Sequence, residues 1–262
     1  MLSPAHEAHN NVVDRGTGDP VLFLHGIGCN ALTWEPQLQV LESSRRVIAI
    51  DARGHGGSPP AEGPMTLRDY ADDVLAVMSD LGIERAPVVG LSMGGMVAMT
   101  MSLAAPERVS GLVLADTGAH ANADMAANMK MAGAAAVEYG MRANVEQMTP
   151  MLFAAAALAE NRPYIKEFQD QVATTDAHSF SVALGAIAEL DLLDDLPRLD
   201  VPTLVLVGDE DQTLPSVFSE AIAAAVPGAE LQVIDEAGHM SNLDQPEVFT
   251  DHLVRFLSRT GN

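Results

Sequence analysis

The sequence predicts an α/β fold: a mostly parallel central sheet with helices on both faces and an inserted helical cap. Three observations point there. Short apolar runs rich in valine, isoleucine and leucine alternate with amphipathic segments of helical length, the order that strand–helix–strand crossovers impose. That alternation stops at residue 119 and resumes after residue 190; the chain between is rich in alanine and methionine and has no strand-like run. Residues 86–104 read strand, sharp turn, helix, with Gly90-Leu91-Ser92-Met93-Gly94 at the turn.

Taken in order, residues 9–14 read as an early strand and residues 16–20 as a turn. Residues 21–24 are a buried strand whose C-terminal loop is His25-Gly26-Ile27-Gly28. Residues 34–41 look helical, and residues 46–50 form a further buried strand ending in the glycine-rich loop 51–58. Thr66 caps a helix to Leu81 that places Leu67, Tyr70, Val74, Leu75 and Met78 on one face. The strand 86–91 and helix 93–104 follow, the helix stopped by Pro106, and then a strand over 109–114 that leads to Asp116. In the inserted stretch, Asn161 before Pro163 and Asp176 before Phe180 mark helix starts. Strand 203–207, helix 216–225, strand 230–234 and helix 245–257 complete the chain. The expected division is a core of residues 1–118 and 196–262 and a helical cap of residues 119–195. In such sheets ligands bind beyond the carboxyl ends of the strands. His25, Gly26, Asp51, Ser92, Asp116, Asp211 and His239 all fall there.

The Gly-x-Ser-x-Gly turn has a physical rationale. A serine on a tight strand-to-helix turn projects its hydroxyl from the sheet edge, and glycines on either side let strand and helix close around it. A hydroxyl is a poor nucleophile until a base takes its proton, and the base is best a histidine oriented by a carboxylate. After Ser92, the strand 203–207 runs into Gly208-Asp209-Glu210-Asp211, and the strand 230–234 into Gly238-His239-Met240. Those loops supply acid and base in the order nucleophile, acid, base. Asp116, Asp209 and Glu210 compete with Asp211 for the acid. Asp211 is assigned because it lies far enough from its strand end to reach His239. Asp209 is assigned to bracing its own turn and Asp116 to capping the crossover into the cap. Acyl transfer also needs two oxyanion donors, and the Met93 and Ile27 N–H groups are the natural pair. Of the remaining histidines, His55 braces its glycine-rich loop, His6, His9 and His252 face solvent, and His120 and His178 belong to the insertion. Cys29 reads as a small buried residue near the Ile27 loop.

With these motifs in place, the chain resembles the α/β-hydrolases from about residue 12 to its C-terminus. His25-Gly26, the 51–58 loop, the Gly90–Gly94 turn, Gly208-Asp209-Glu210-Asp211 and Gly238-His239 carry the resemblance. The Gly-Leu-Ser-Met-Gly-Gly turn and the chain length are similar to 3-oxoadipate enol-lactonases and related small esterases. The resemblance implies an α/β-hydrolase fold and hydrolysis of a carboxylic ester or lactone through an acyl-enzyme on Ser92, with His239 as base and Asp211 orienting it. Gly-Asp-x-Asp is the family's acid pattern, which also favours Asp211. The opening segment departs from the pattern: it is too short for two full strands, so the first is expected to be missing or abbreviated. Substrate contacts are expected from His25, Gly26, Trp34, Met125, Met129, Arg142 and Met240. Six cap methionines (Met125, Met129, Met131, Met141, Met148 and Met151) suggest an adaptable apolar pocket. An enol-lactonase handles a carboxylate-bearing substrate, for which Arg142 or Arg162 is a candidate partner. The same triad would serve carbon–carbon bond hydrolysis or cofactor-free perhydrolysis and haloperoxidation. A ligand receptor reusing the fold is the reading from another class, and turnover of a p-nitrophenyl ester separates it from an enzyme.

Composition bounds the rest. With 262 residues, 48% hydrophobic, the chain can bury a sizeable core. Its formal charge of −22, with Lys130 and Lys166 its only lysines, argues against nucleic-acid and anionic-membrane partners. That charge is either a solvated surface that aids solubility or an adaptation to high salt. A single cysteine allows no internal disulfide and points to a reducing, cytoplasmic compartment. The opening residues lack a basic-then-apolar leader pattern, and no run is long and apolar enough to span a membrane. No His/Cys cluster has metal-ligand spacing and no dinucleotide fingerprint occurs, so neither metal nor organic cofactor is expected. The expected partner is a small ester or lactone, and a homo-oligomer is compatible with the sequence.

Overall fold

Seven short, β-branched-rich segments form one sheet in the computed structural model, which describes residues 10–260. The readings for His6 and His9 lie outside the described residues. In chain order the elements are β1 (Val12–Arg15), β2 (Pro20–Leu24), α1 (Glu35–Leu41), β3 (Arg46–Ile50), α2 (Leu67–Asp80), β4 (Ala86–Leu91) and α3 (Met93–Ala104). They continue with β5 (Val109–Ala115), α4 (Ala123–Tyr139), α5 (Met141–Leu152), α6 (Ala155–Ala159), α7 (Pro163–Val172) and α8 (Ala177–Ile187). The last are β6 (Thr203–Gly208), α9 (Ser216–Ala225), β7 (Glu230–Ile234), α10 (Ser241–Asp244) and α11 (Pro246–Leu257).

The strand order is β1-β3-β2-β4-β5-β6-β7, with β1 antiparallel to β3 and every other neighbour pair parallel. From β2 the chain steps to β3 on one side and then returns to place β4 on the other. The crevice at the carboxyl ends of β2 and β4 is therefore the topological switch point, where open α/β sheets bind ligands. Successive residues face opposite sides of the sheet, and both sides are covered. Phe23, Leu91 and Val113 pack on the face shared with α1, α11 and much of the insertion, whereas Leu22, Val88 and Leu112 pack on the face covered by α2, α3 and α9.

Local signals account for most boundaries. Thr66 accepts from the Asp69 N–H while Asp69 accepts from the Thr66 N–H, a reciprocal cap that starts α2. Asp176 starts α8 by accepting from Ser179 N. Two boundaries moved. The helix expected over 34–41 is a 3₁₀ turn at Ala31–Trp34 followed by α1, whose second residue is Pro36. α7 starts at Pro163 behind Arg162 rather than Asn161, because proline at the first helical position fixes the entry. Asn161 sits instead in the left-handed region (φ 49°). β1 has four residues, and among the described residues it alone precedes β2.

Between β5 and β6 the chain builds α4 to α8, with α4 packed along α8 and α5 against α7. A Cβ on Gly133 of α4 would fall 2.7 Å from the Ser181 hydroxyl of α8, so glycine sets that close approach. A bridge between His120 and Asp191 closes the base of the excursion. Among the described residues, no helix is long and apolar enough to cross a membrane.

Candidate active site

The turn between β4 and α3 is held by sterics. A Cβ on Gly90 would lie 2.4 Å from the Gly94 carbonyl oxygen, and one on Gly94 would lie 2.1 Å from that of Leu24. Only glycine at both positions lets strand, helix and the β2 end meet. Ser92 between them adopts φ 52°, a backbone strain that the surrounding bonds sustain. Its N–H donates to the Ala115 carbonyl at 2.9 Å, and its carbonyl accepts from the Thr117 hydroxyl at 2.7 Å.

Ser92 Oγ lies 3.0 Å from His239 Nε2, and His239 Nδ1 lies 2.8 Å from Asp211 Oδ2. The other Asp211 oxygen accepts from the Thr213 and Leu214 N–H groups at 2.8 and 2.9 Å, which locks the carboxylate. An acceptor-only carboxylate at Nδ1 puts the imidazole proton there and leaves the Nε2 lone pair facing the serine hydroxyl. All three side chains are buried. Burial disfavours the imidazolium, but the Asp211 charge and hydrogen bond, with the Asp116 charge, outweigh it and raise the His239 pKa above its ordinary value.

Met93 opens α3, where first-turn amides have no intrahelical partner. On the facing loop, the Gly26 carbonyl accepts from Cys29 N at 3.1 Å and lies 2.7 Å from His25 Nδ1. His25 Nε2 accepts from Ala52 N at 2.9 Å, so Nδ1 bears the proton and donates to Gly26. In a trans peptide C=O and N–H point oppositely, so fixing that carbonyl turns the Ile27 N–H away from the His25 ring. His25 is thus buried beneath the loop, not against substrate space.

Above Ser92 is a small cavity. Its floor includes Gly26, Ile27, Ser92, His239 and Met240. Its walls are Val145, Met148 and Leu152 of α5, Phe168 and Val172 of α7, and Phe180 of α8. Cys29 and Thr213 also line it, and burial pushes the Cys29 thiol up to about 12, which keeps it protonated.

Of the expected substrate contacts, Gly26 and Met240 line this cavity; His25, Trp34, Met125, Met129 and Arg142 do not. Trp34 is wholly buried between Phe23 and Phe249, at centroid distances of 5.3 and 5.9 Å, so its large apolar ring serves the core. Met125 and Met129, on α4, are partly buried and pack against the core. The inward stripe of α5 is Met141, Val145, Met148 and Leu152; Arg142 sits off it and pairs with Asp170 at 2.9 Å. Among the six cap methionines, Met148 alone lines the cavity, and Met131 and Met151 are exposed. Sequence reasoning missed Val145 and Leu152, although their spacing with Met141 and Met148 is the signal of one helix face. Phe168, Val172 and Phe180 carry no comparable local signal.

Two acids behave differently from expectation. Asp116 does not cap the crossover. It is fully buried with φ 47°, and accepts from Gly208 N at 2.9 Å and from the Ser241 hydroxyl at 2.5 Å. It thereby ties the end of β5 to the end of β6 and to α10. Burial, then the Asp211 charge, push its carboxyl up to about 7. Asp209 accepts from Ala237 N at 3.3 Å and so braces the neighbouring His239 loop rather than its own turn. The insertion is tied to the same loop. Met240 N donates to the Leu152 carbonyl at 2.9 Å. Asp244 accepts from Ala154 N and Gly238 N, each at 2.8 Å, and from the Tyr164 hydroxyl at 2.7 Å. His120 and His178 are both exposed, and His120 pairs with Asp191 at 3.4 Å. Among the described residues, no group of three or more His, Cys, Asp or Glu is placed to hold a metal ion.

Comparison with known proteins follows the same lines. Residues 21–252 match the alpha/beta hydrolase family. A 3-oxoadipate enol-lactonase from Acinetobacter baylyi is 30% identical over 229 residues, which covers 87% of this chain and 85% of the relative. The structure of a thermophilic esterase from Thermogutta terrifontis superposes with a TM-score of 0.94 at 31% identity, covering 99% of this chain and 97% of that one. An enol-lactonase from Burkholderia xenovorans superposes with a TM-score of 0.91 at 26% identity, covering 98% and 99%.

Proposed function

This chain belongs to the alpha/beta hydrolase family, and on that premise we propose that it is a serine hydrolase that cleaves a carboxylic ester or lactone through an acyl-enzyme. The observation that carries the reading is the continuous hydrogen-bonded run from Asp211 through His239 to Ser92 at the floor of a small cavity. Ser92 Oγ attacks the carbonyl carbon as its proton passes to His239 Nε2. The oxyanion is held by the Met93 and Ile27 N–H groups. The tetrahedral intermediate expels the alkoxide, which takes the proton from His239. Water then gives a proton to the same nitrogen as it attacks the acyl carbonyl, and collapse of the second tetrahedral intermediate breaks the bond to Ser92 Oγ, which takes the proton back from His239 as the acid is released. Asp211 keeps its charge and stabilises the imidazolium throughout. Residues 1–118 and 196–262 act as the catalytic core, and residues 119–195 as a cap that shapes the acyl side.

A serine-directed sulfonyl fluoride tests the nucleophile. One sulfonyl group should appear on the peptide containing Ser92, in step with loss of p-nitrophenyl butyrate turnover. Modification elsewhere with activity retained removes Ser92 from the role.

A further inference from the structure

We infer that the acyl side of the substrate is uncharged and apolar, so that this site rejects carboxylate-bearing esters and lactones. The inference rests on the hydrolase reading above and narrows it. Its ground is the chemistry of the cavity walls. Beyond the serine–histidine floor, the wall presented by α5, α7 and α8 is Val145, Met148, Leu152, Phe168, Val172 and Phe180. No lysine or arginine is among the residues that line the cavity.

The cations of the insertion are committed elsewhere. Arg142 and Lys166 pair with Asp170, Arg162 with Glu160 and Lys130 with Glu189, all at exposed positions. A carboxylate carried into this chamber would lose its water and meet methyl, thioether and aromatic groups, with the Cys29 thiol and a Thr213 hydroxyl that already donates to the Met151 carbonyl beside them. It would also approach the Asp211 carboxylate that serves His239. A 3-oxoadipate enol-lactone, as its name implies, keeps one free carboxylate after the other closes the ring. This cavity offers that group no counterion, so likeness to enol-lactonases extends to the framework and not to the substrate's charge. A neutral acyl chain or alkyl lactone ring, by contrast, gains from the same walls by burying apolar surface.

Dimethyl glutarate and monomethyl glutarate test this, because they share a chain and differ at the remote end in charge. Ester cleavage is followed at about pH 8 in 0.1 M and 1 M NaCl, with p-nitrophenyl butyrate as a control. We expect kcat/KM for the diester to exceed that for the monoester by at least about 100-fold, equivalent to leaving one buried charge without a partner. The preference should persist at 1 M NaCl, because a desolvated chamber is screened little. Comparable rates, or a faster monoester, overturn the inference and leave the hydrolase reading standing. A preference that collapses in 1 M NaCl also overturns it, since the surface field rather than the cavity would then be discriminating. Cleavage of p-nitrophenyl butyrate without cleavage of the diester counts against the inference alone. No turnover of any of the three overturns the hydrolase reading as well.

Discussion

His239 sits between two buried carboxyls that differ in what they accept. Asp211 meets the imidazole Nδ1 and two backbone amides, while Asp116 meets a backbone amide and a serine hydroxyl. Replacing Asp211 by Asn puts an amide where the ring N–H needs an acceptor and favours the wrong tautomer, which cost about 10⁴ in kcat in a protease triad. Asp211→Asn should therefore lower kcat at least ~10²-fold in a folded protein, and Asp116→Asn far less. Steady-state kinetics on both purified variants decide the assignment; a collapse confined to Asp116→Asn would transfer the role. The raised His239 pKa fixes the sign of the pH profile. Only neutral imidazole can act as base, so kcat/KM should fall toward acid with an apparent pKa above the ordinary ~6.5, and a flat profile from about pH 5 to 8 speaks against a histidine base. Asp116 has its own signature. Its folded pKa of about 7 lies above the ~3.9 of an unfolded aspartate, so its contribution to stability is full below ~3.9 and is lost as pH rises through about 7. Asn keeps an acceptor for Gly208 N without the charge. Melting curves should thus show Asp116→Asn losing less stability than the native protein between about pH 4 and pH 7, with the two curves running parallel above that. Chain order and loop placement made Ser92, Asp211 and His239 readable as one group. The role of Asp116 was not readable, because it depends on two loops, from Gly208 and Ser241, that are distant in sequence.

At the scale of elements, the Gly90–Gly94 turn depends on distances a methyl group cannot meet. A Gly94→Ala side chain would sit 2.1 Å from the Leu24 carbonyl oxygen, backbone that cannot swing aside. The variant should lose at least ~2 kcal/mol of stability, in the range of an overpacked core, or displace Ser92 and lose activity while folded. Urea unfolding and esterase turnover distinguish these outcomes, and a variant native in both would refute the steric account. Strand positions were legible because β-branched runs in a sheet covered on both sides have few local alternatives. Helix starts were legible where a side chain did the capping, as at Thr66 and Asp176. The boundary at Asn161 slipped because proline geometry overrode side-chain capping, and Trp34 was misplaced because its partners Phe23 and Phe249 are far apart in sequence.

For the molecule as a whole, a formal charge of −22 sets a field that salt can screen. If self-repulsion limits stability, Tm should rise as NaCl shortens the Debye length from ~10 Å at 0.1 M toward ~3 Å at 1 M. An unchanged or falling Tm in that titration leaves the acidic surface as a solubility feature only. The ties from Leu152, Ala154 and Tyr164 to Met240, Gly238 and Asp244 bear on how the molecule can diversify. Specificity segments are commonly pictured as detachable modules that can be transplanted between scaffolds. Here the graft boundary would run through hydrogen bonds that hold the loop carrying His239. A transplanted 119–195 segment would therefore arrive with its own setting for His239, and substrate range and turnover would be inherited as one trait.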